Sequence, residues 1–422
     1  MERHLSSLNL LSLIFFIMAF AWLVPTAEWI PALAYLAFLI LIAKFLYEQV
    51  LKPHDPTFSP ALFLLAFMVK MLGGVSRYWM VLDLYGRGDA LRYHWEGQEL
   101  AASFARLDFS ILGETFRLGT AMMSILTGLI YSLLPVSLFG IFLLFAVLAF
   151  AGSVLCYCGF RLAFPQTNPH LYRILMFFLP SVFFWPSSLG KDAWIFFGSG
   201  FVAYGLVKFT RLNQLSGLFT LGIGLALIGL IRPHISAFMM LSLAVAYLPF
   251  LFHSVRNPQH LLSWLVGGSI AVVMGIYVLQ TGADFLQARG LEDISEAGLE
   301  QYYYQRQLST FGGRSGFMPT VALRLAGIIG APVIVLLRPF PWEAHNPQAM
   351  ITALESMFWL GIIVYRGKAF LQRLRTIAVD PLVAFSLVYS FIMIVSLTTI
   401  GNYGLLARQR VSLLPFLWML FG

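Results

Sequence analysis

Charge is what this chain has least of. Only 11% of its 422 residues are Asp, Glu, Lys or Arg, against 59% hydrophobic, and the mean hydropathy is +0.81. No soluble fold of this length needs so much apolar surface, so a water-soluble enzyme or binding module is excluded. Cysteine is nearly absent too. Cys156 and Cys158 lie in one apolar run and read as small buried residues, which leaves no disulfide framework and no thiolate metal site. The histidines stand singly, without H-x-x-x-H or H-E-x-x-H spacing, so no zinc site of that type is indicated. Low-complexity tracts, sequence repeats and a soluble domain are likewise missing.

What fills the chain is roughly a dozen apolar stretches near membrane-spanning length. They run over 7–23, 30–46, 61–82, 120–134, 138–162, 174–185, 194–207, 218–231, 236–252, 261–279, 321–337, 351–364, 382–400 and 411–421. The expected fold is therefore all-α, a single polytopic membrane domain over 1–422 with about 11–14 transmembrane or re-entrant helices. The first stretch follows Arg3 and His4 and has no small-x-small cleavage site after it, so it reads as a retained anchor.

Orientation follows from the basic residues. Lys44 and Lys52, Lys208 and Arg211, and then Arg366, Lys368, Arg373 and Arg375 mark three cytoplasmic loops by the positive-inside rule. The net charge of +8 is concentrated there and at the outer ends of helices, where anionic lipid is the natural partner and nucleic acid is not. This puts GDALRYHWE (88–96), SSLGKD (187–192), RPH (232–234), RPFPWE (338–343) and NYGLLARQR (402–410) on the outer side. Two parity conflicts stand against that placement. The first is relieved if 99–117 contains a membrane-dipping helix. The second is relieved if Gly330, Ala331 and Pro332 break 321–337 into a re-entrant hairpin. The polar loop 281–320, with helical character over 294–307, is expected either to act as a lid or to lie solvated with its tyrosines at the lipid headgroups.

Polar clusters beside hydrocarbon are where a membrane protein keeps its chemistry. Asp89 starts a helix whose spacing puts it on one face with Tyr93, and His94 follows; it is a candidate general base or a ligand for a divalent cation, against the plainer role of helix cap. SSLGKD is not a phosphate loop, because the upstream glycine is missing and Asp192 follows the lysine. Lys191 can still hold a phosphate at a helix start, or merely snorkel at a span end. Arg232 and Arg338, each before a proline, can grip phosphate oxygens bidentately, with His234, Trp342 and Glu343 beside them. Trp342 suits either a sugar ring or the membrane interface. Glu355, inside an apolar run, costs roughly 2–3 kcal/mol unless paired, and Arg338 or Arg232 is its expected partner. Asn402, Tyr403 and Arg408 complete the candidates; Arg408 and Arg410 are about 200° apart on a helix, so only one of them faces a given ligand.

The order GDALRYHWEG, FFWPSSLGKDA, RPH, RPFPWE and NYG-x4-R-x-R resembles the polytopic envelope-polysaccharide proteins, the Wzy-like and EpsG-like polymerases and more broadly the GT-C glycosyltransferases. The likeness spans the chain in outline from Asp89 to Arg410 through short motifs. It lacks a second acidic residue beside Asp89. The resemblance implies a GT-C-like fold in the cytoplasmic membrane and transfer of sugar units from an undecaprenyl (di)phosphate carrier, in company with other envelope-polysaccharide proteins. Asp89 would be the base, and Lys191, Arg232 and Arg338 would hold the leaving phosphate. Apart from the divalent cation at Asp89, no cofactor is implied. The rival expectation is a transporter of lipid-linked saccharides, which needs charge near the bilayer midplane. Only Lys70 meets that need.

Overall fold

Without water to bond to, an apolar segment must satisfy its backbone N–H and C=O groups internally, and helices do so. The computed structural model describes residues 2–112, 118–212, 214–254, 276, 280, 296–312, 316–317 and 325–422. Among these, six helices are long and apolar enough to cross a membrane: His4–Leu23, Thr26–His54, Pro60–Tyr85, Leu138–Ala163, Lys191–Leu212 and Pro347–Leu374. Four shorter apolar helices accompany them. The expected stretch 261–279 lies largely outside the described residues. The chain forms two compact units, Met1–Pro233 and His234–Gly422.

In the first unit, α1 (Glu2–Leu23), α2 (Trp29–Phe45) and α3 (Pro60–Trp79) precede a short pair, α4 (Asp89–Phe104) and α5 (Thr120–Leu133). The central helix is α6 (Leu138–Ala163), which is apolar all round and buried along nearly its whole length. Ser137 caps it through Gly140 N at 3.0 Å. α2 runs parallel to α6, since Gly140 faces the Tyr35 ring and Cys158 Sγ reaches Val50 O. α3 is antiparallel to α6: Tyr78 meets Phe139 and Phe142, while Phe63 and Phe67 meet Phe150. These registers define two ends of the unit, one at Asp55 and one at Ser137.

α4 and α5 are antiparallel arms of one hairpin. His94 meets Tyr131, Gly97 meets Thr127, and Gly128 fits under Leu100 and Phe104. Asp89 and Leu133 consequently lie at the same end. The helix expected within 99–117 is here the end of α4, which begins at Asp89, and 113–117 lie outside the described residues.

At the other end, Asp55 is fully buried and holds several elements together. Its carboxylate accepts hydrogen bonds from Tyr157 Oη, from Arg173 Nη2 at 2.9 Å and from Thr57 N at 3.1 Å, with Arg161 at 3.8 Å. Burial pushes its pKa up, but the Thr57 and Tyr157 hydrogen bonds and the two arginines outweigh that and hold it below the usual range. Sequence reading gave this residue no weight.

From Arg173 the chain returns toward the Ser137 end as two pieces, α7 (His170–Phe178) and α8 (Pro180–Phe184), not as the one span expected over 174–185. Leu179 is extended and Pro180 starts the second piece, so the backbone breaks there. The carbonyls at the end of α8 find side-chain donors: Lys70 Nζ reaches Val182 O at 2.9 Å, and Ser187 Oγ bonds Phe183 O. SSLGKD then turns into α9 (Lys191–Leu212), and α10 (Leu215–Ile231) packs antiparallel to it. Gly200 meets the Gly152 backbone so closely that a Cβ would lie 2.6 Å from Gly152 O. Small residues at such crossings let helices in an apolar medium approach closely.

The second unit contains α11 (Pro233–Ser254), α12 (Glu296–Thr310), α13 (Leu325–Pro332), α14 (Pro347–Leu374), α15 (Pro381–Leu397), α16 (Tyr403–Arg410) and α17 (Leu414–Met419). The re-entrant hairpin expected at Gly330, Ala331 and Pro332 does not form. The helix passes through Pro332 and continues as a π-helix over Val333–Leu337, whose wider turns accommodate the missing proline donor. Nor is 411–421 one span, because a turn separates α16 from the six-residue α17. The helical character expected over 294–307 appears as α12. Its Gln307 donates to Thr398 O, Thr310 Oγ1 accepts from Gly401 N at 2.8 Å, and Gly316 pairs with Asn402. The remainder of the 281–320 loop is largely outside the described residues.

Cysteines introduced at Arg87 and Val136, both exposed, are expected to react with an impermeant maleimide from the same side of the membrane, and one at Lys52 from the opposite side. Native Cys156 and Cys158 are buried and contribute little background. Labelling of Arg87→Cys and Val136→Cys from opposite sides would contradict the hairpin.

Candidate functional site

Three segments far apart in sequence meet at the amino end of α9. Lys191 Nζ donates to Thr120 Oγ1 at 2.7 Å, Arg232 Nη2 lies 3.8 Å from Asp192 Oδ1, and Gly119 N donates to Leu230 O at 2.9 Å. The starts of α5 and α9 and the C-cap of α10 thus share one place. The first turn of α9 points its backbone N–H groups toward it. Its depth follows from α6: Trp194 meets Phe145, several residues in from the start of that helix, so the cluster is recessed about 10 Å from the Ser137 end. Ser187 and Ser188 are buried beside it. Lys191, Asp192 and Arg232 are brought together as the sequence suggested, and Thr120 is an addition that carried no signal in a polar-cluster search.

Asp89 is elsewhere. The register of the α4–α5 hairpin places it beyond the far end of α5 from Thr120, about 20 Å along the helix axis. Its carboxylate is half-exposed and pairs with Arg92 at 3.2 Å, and Arg92 in turn lies 3.9 Å from Glu96. Tyr93 and His94 are buried, His94 against Tyr131 of α5. Gln98 Nε2 lies 3.0 Å from His94 Nε2 and the Tyr131 hydroxyl 2.7 Å from His94 Nδ1; the network fits a ring that accepts from Gln98 and donates to Tyr131. Ser124 hydrogen-bonds Glu96 and thereby ties the middle of the hairpin. Among the described residues no group of three or more His, Cys, Asp or Glu is arranged to hold a metal ion.

In the second unit, Arg338 is clamped. Its Nε lies 3.0 and 3.1 Å from the two Glu343 oxygens, and its Nη2 donates to Glu343 and to the Tyr403 hydroxyl. Phe317 stacks on Tyr403 with centroids 4.3 Å apart, and the guanidinium carbon sits 4.6 Å from the Phe317 centroid. Burial raises the Glu343 pKa, yet the Arg338 and Phe340 N–H hydrogen bonds prevail and keep it below its ordinary value. Arg338 is therefore engaged by a carboxylate along one edge, which the expectation of a phosphate ligand did not foresee. Trp342 stacks on Phe340 and is 75% exposed. Asn402 caps α16 through Leu405 N and donates to Gly312 O at 3.0 Å. Arg408 is half-buried on α16, and His234 opens α11 with its ring edge toward Phe238.

For Glu355, buried on α14, the expected partner is Arg338 or Arg232. Among the described residues, burial disfavours the charge on Arg410 and Glu355 favours it, whereas Arg338 bonds Glu343 and Arg232 lies beside Asp192. Arg410 is fully buried. It donates from Nη1 to the carbonyls of Val335, Leu336 and Arg338 and from Nη2 to Ser356 Oγ, with Trp359 over its face at 4.4 Å. Of the two arginines on α16, the one facing inward is Arg410, not Arg408.

Comparison with protein-family models, curated proteins and solved structures finds no match.

Removing Arg410 leaves three carbonyls without their donor and takes a favourable charge away from buried Glu355, so Arg410→Met is expected to cost about 3–5 kcal/mol. Adding Glu355→Gln should recover part of that loss, whereas Glu355→Gln combined with Arg338→Ala should be additive. Thermal unfolding in detergent checks both, and coupling of Glu355 to Arg338 instead would refute the pairing.

Proposed function

We propose that this membrane protein transfers or polymerises sugar units from a polyprenyl-(di)phosphate-linked donor at the outer face of the cytoplasmic membrane, in envelope-polysaccharide synthesis, within a GT-C-like architecture. The observation that carries this reading is the convergence of Lys191 and Arg232 with Thr120 at the recessed amino end of α9. Two cations, a hydroxyl and a helix start, set among apolar helices, fit a lipid phosphate whose chain lies in hydrocarbon while its headgroup needs charge.

In an inverting displacement the acceptor hydroxyl oxygen attacks the anomeric carbon, the bond from that carbon to the phosphate oxygen breaks, and the phosphate leaves with the electron pair. Lys191 and Arg232 stabilise the charge that grows on it. The hydroxyl proton needs a carboxylate within reach. Asp192 occupies the phosphate cluster itself; Asp89, about 20 Å away along the hairpin, is too distant to share that step. This reading accordingly gives Asp192 the base role.

The transporter reading has one supporting residue, Lys70. It is 2% exposed, and its ammonium serves the Val182 carbonyl and lies 5.9 Å from the Phe196 centroid. A midplane charge spent on closing a helix end gives little support to a translocation path.

For purified protein in nanodiscs, Lys191→Ala or Arg232→Ala should weaken binding of undecaprenyl phosphate about ten-fold or more. Asp192→Asn should keep binding and lower product formation by about 10²–10⁴. Asp89→Asn should change neither. Unaltered lipid-phosphate binding in both cation variants would sink the proposal, and loss of lipid movement between leaflets without loss of product formation would favour a transporter.

A further inference from the structure

The Pro341–Glu343 turn is a rigid, exposed aromatic shelf in a second unit that the phosphate cluster does not use. Trp342 is 75% exposed, and its ring lies nearly parallel on Phe340, with centroids 4.9 Å apart and planes at 14°. The turn is short and tightly held: Phe340 N donates to Glu343 Oε2 at 2.9 Å, and Arg338 grips the same carboxylate from the other side. Glu343 is saturated by these bonds and so serves to orient its neighbours. The Nε and Nη2 of Arg338 are spent on Glu343 and Tyr403, while its two Nη1 donors have no partner among the described residues.

A side chain as large as Trp, presented to solvent with its orientation fixed by stacking, pays little ordering entropy on contact. Its flat face suits a ring that has one apolar face, and the guanidinium held to the same turn through Glu343 suits oxygen acceptors projecting from the rim of such a ring. A pyranose combines both features. A plain membrane-interface tryptophan would need neither the carboxylate clamp nor the open guanidinium edge.

We infer that Trp342, backed by Phe340, and the Nη1 edge of Arg338 form a saccharide subsite, with Trp342 stacking on a sugar ring and Arg338 donating to its hydroxyl or acidic oxygens. Glu343 and Tyr403 are positioning residues that fix the guanidinium. The inference rests on the reading of the protein as a sugar transferase and assigns to this turn the recognition of the saccharide itself, separately from the lipid phosphate.

The test uses full-length protein in nanodiscs against an immobilised panel of short neutral and acidic oligosaccharides, with undecaprenyl phosphate binding measured on the same samples. Wild-type protein should retain at least one saccharide, Trp342→Ala should weaken that retention about ten-fold, and Trp342→Phe should keep most of it. Undecaprenyl phosphate binding should be unchanged in both variants. Failure of the wild type to retain any saccharide, equal retention by Trp342→Ala, or parallel loss of lipid phosphate in that variant would each overturn the subsite. If lipid phosphate still binds through Lys191 and Arg232, the transferase reading survives that failure.

Discussion

A helix that stops inside an apolar layer leaves carbonyl oxygens that water cannot reach, and the structure depends on how those oxygens are satisfied. Each unit answers with a buried cation. Lys70 on α3 reaches the end of α8 at Val182, and Arg410 on α16 reaches Val335, Leu336 and Arg338 at the end of the π-turn after α13. The positive charge also meets the negative end of the helix dipole, so the bond and the field act in the same direction. Without these donors neither broken helix has a reason to end where it does, and the polar elements that follow, SSLGKD and RPFPWE, lose their positions.

Burying cations is costly, and the chain limits the cost by pairing. Arg410 faces Glu355 and the Trp359 ring; Arg173 faces Asp55, Tyr157 and the Phe58 ring at 4.7 Å; Arg77 lies between Phe184 and Trp185, 5.3 Å from each centroid. Arginine with an aromatic face recurs because guanidinium is more weakly hydrated than ammonium and stacks well on rings. The Asp55 group and the Lys191 group sit at different levels of the first unit, joined by the α7–α8 arm. The arm that delivers SSLGKD to its recessed place is thereby anchored at the opposite end by a buried carboxylate that accepts from Thr57, Tyr157 and Arg173.

Much of this was legible in the sequence, for physical reasons. Long apolar runs of low charge have few alternatives to membrane-length helices, so the all-helical character and the helices α1, α2, α3, α5 and α6 follow directly, while the more polar α4 does not. Lys191, Asp192 and Arg232 stood out because charge at the end of an apolar run is rare. Pairings did not follow. Glu355 was visible as a buried charge, yet Arg410, whose charge it favours, is 55 positions away by the numbering, and Arg338 looked equally available. Pro332 suggested a break because proline lacks a donor, whereas a π-turn absorbed the defect. Asp89 drew weight from its flanking polar residues; only the antiparallel register of α4 and α5, set by Gly97, Gly128 and the His94–Tyr131 contact, reveals how far it lies from the cations. Asp55 was overlooked because a lone carboxylate in a short loop resembles any turn residue until Arg173, 118 residues later, closes on it.

The central claim is that the amino end of α9 receives a lipid phosphate, and the most direct measurement is an electron cryo-microscopy map of the protein in nanodiscs with undecaprenyl phosphate. The account predicts phosphate density within hydrogen-bond distance of Lys191 Nζ and the Arg232 guanidinium, with the prenyl chain leading away among apolar helices. Phosphate density at another site, with Lys191 still bonded to Thr120 and Arg232 still beside Asp192, would contradict it.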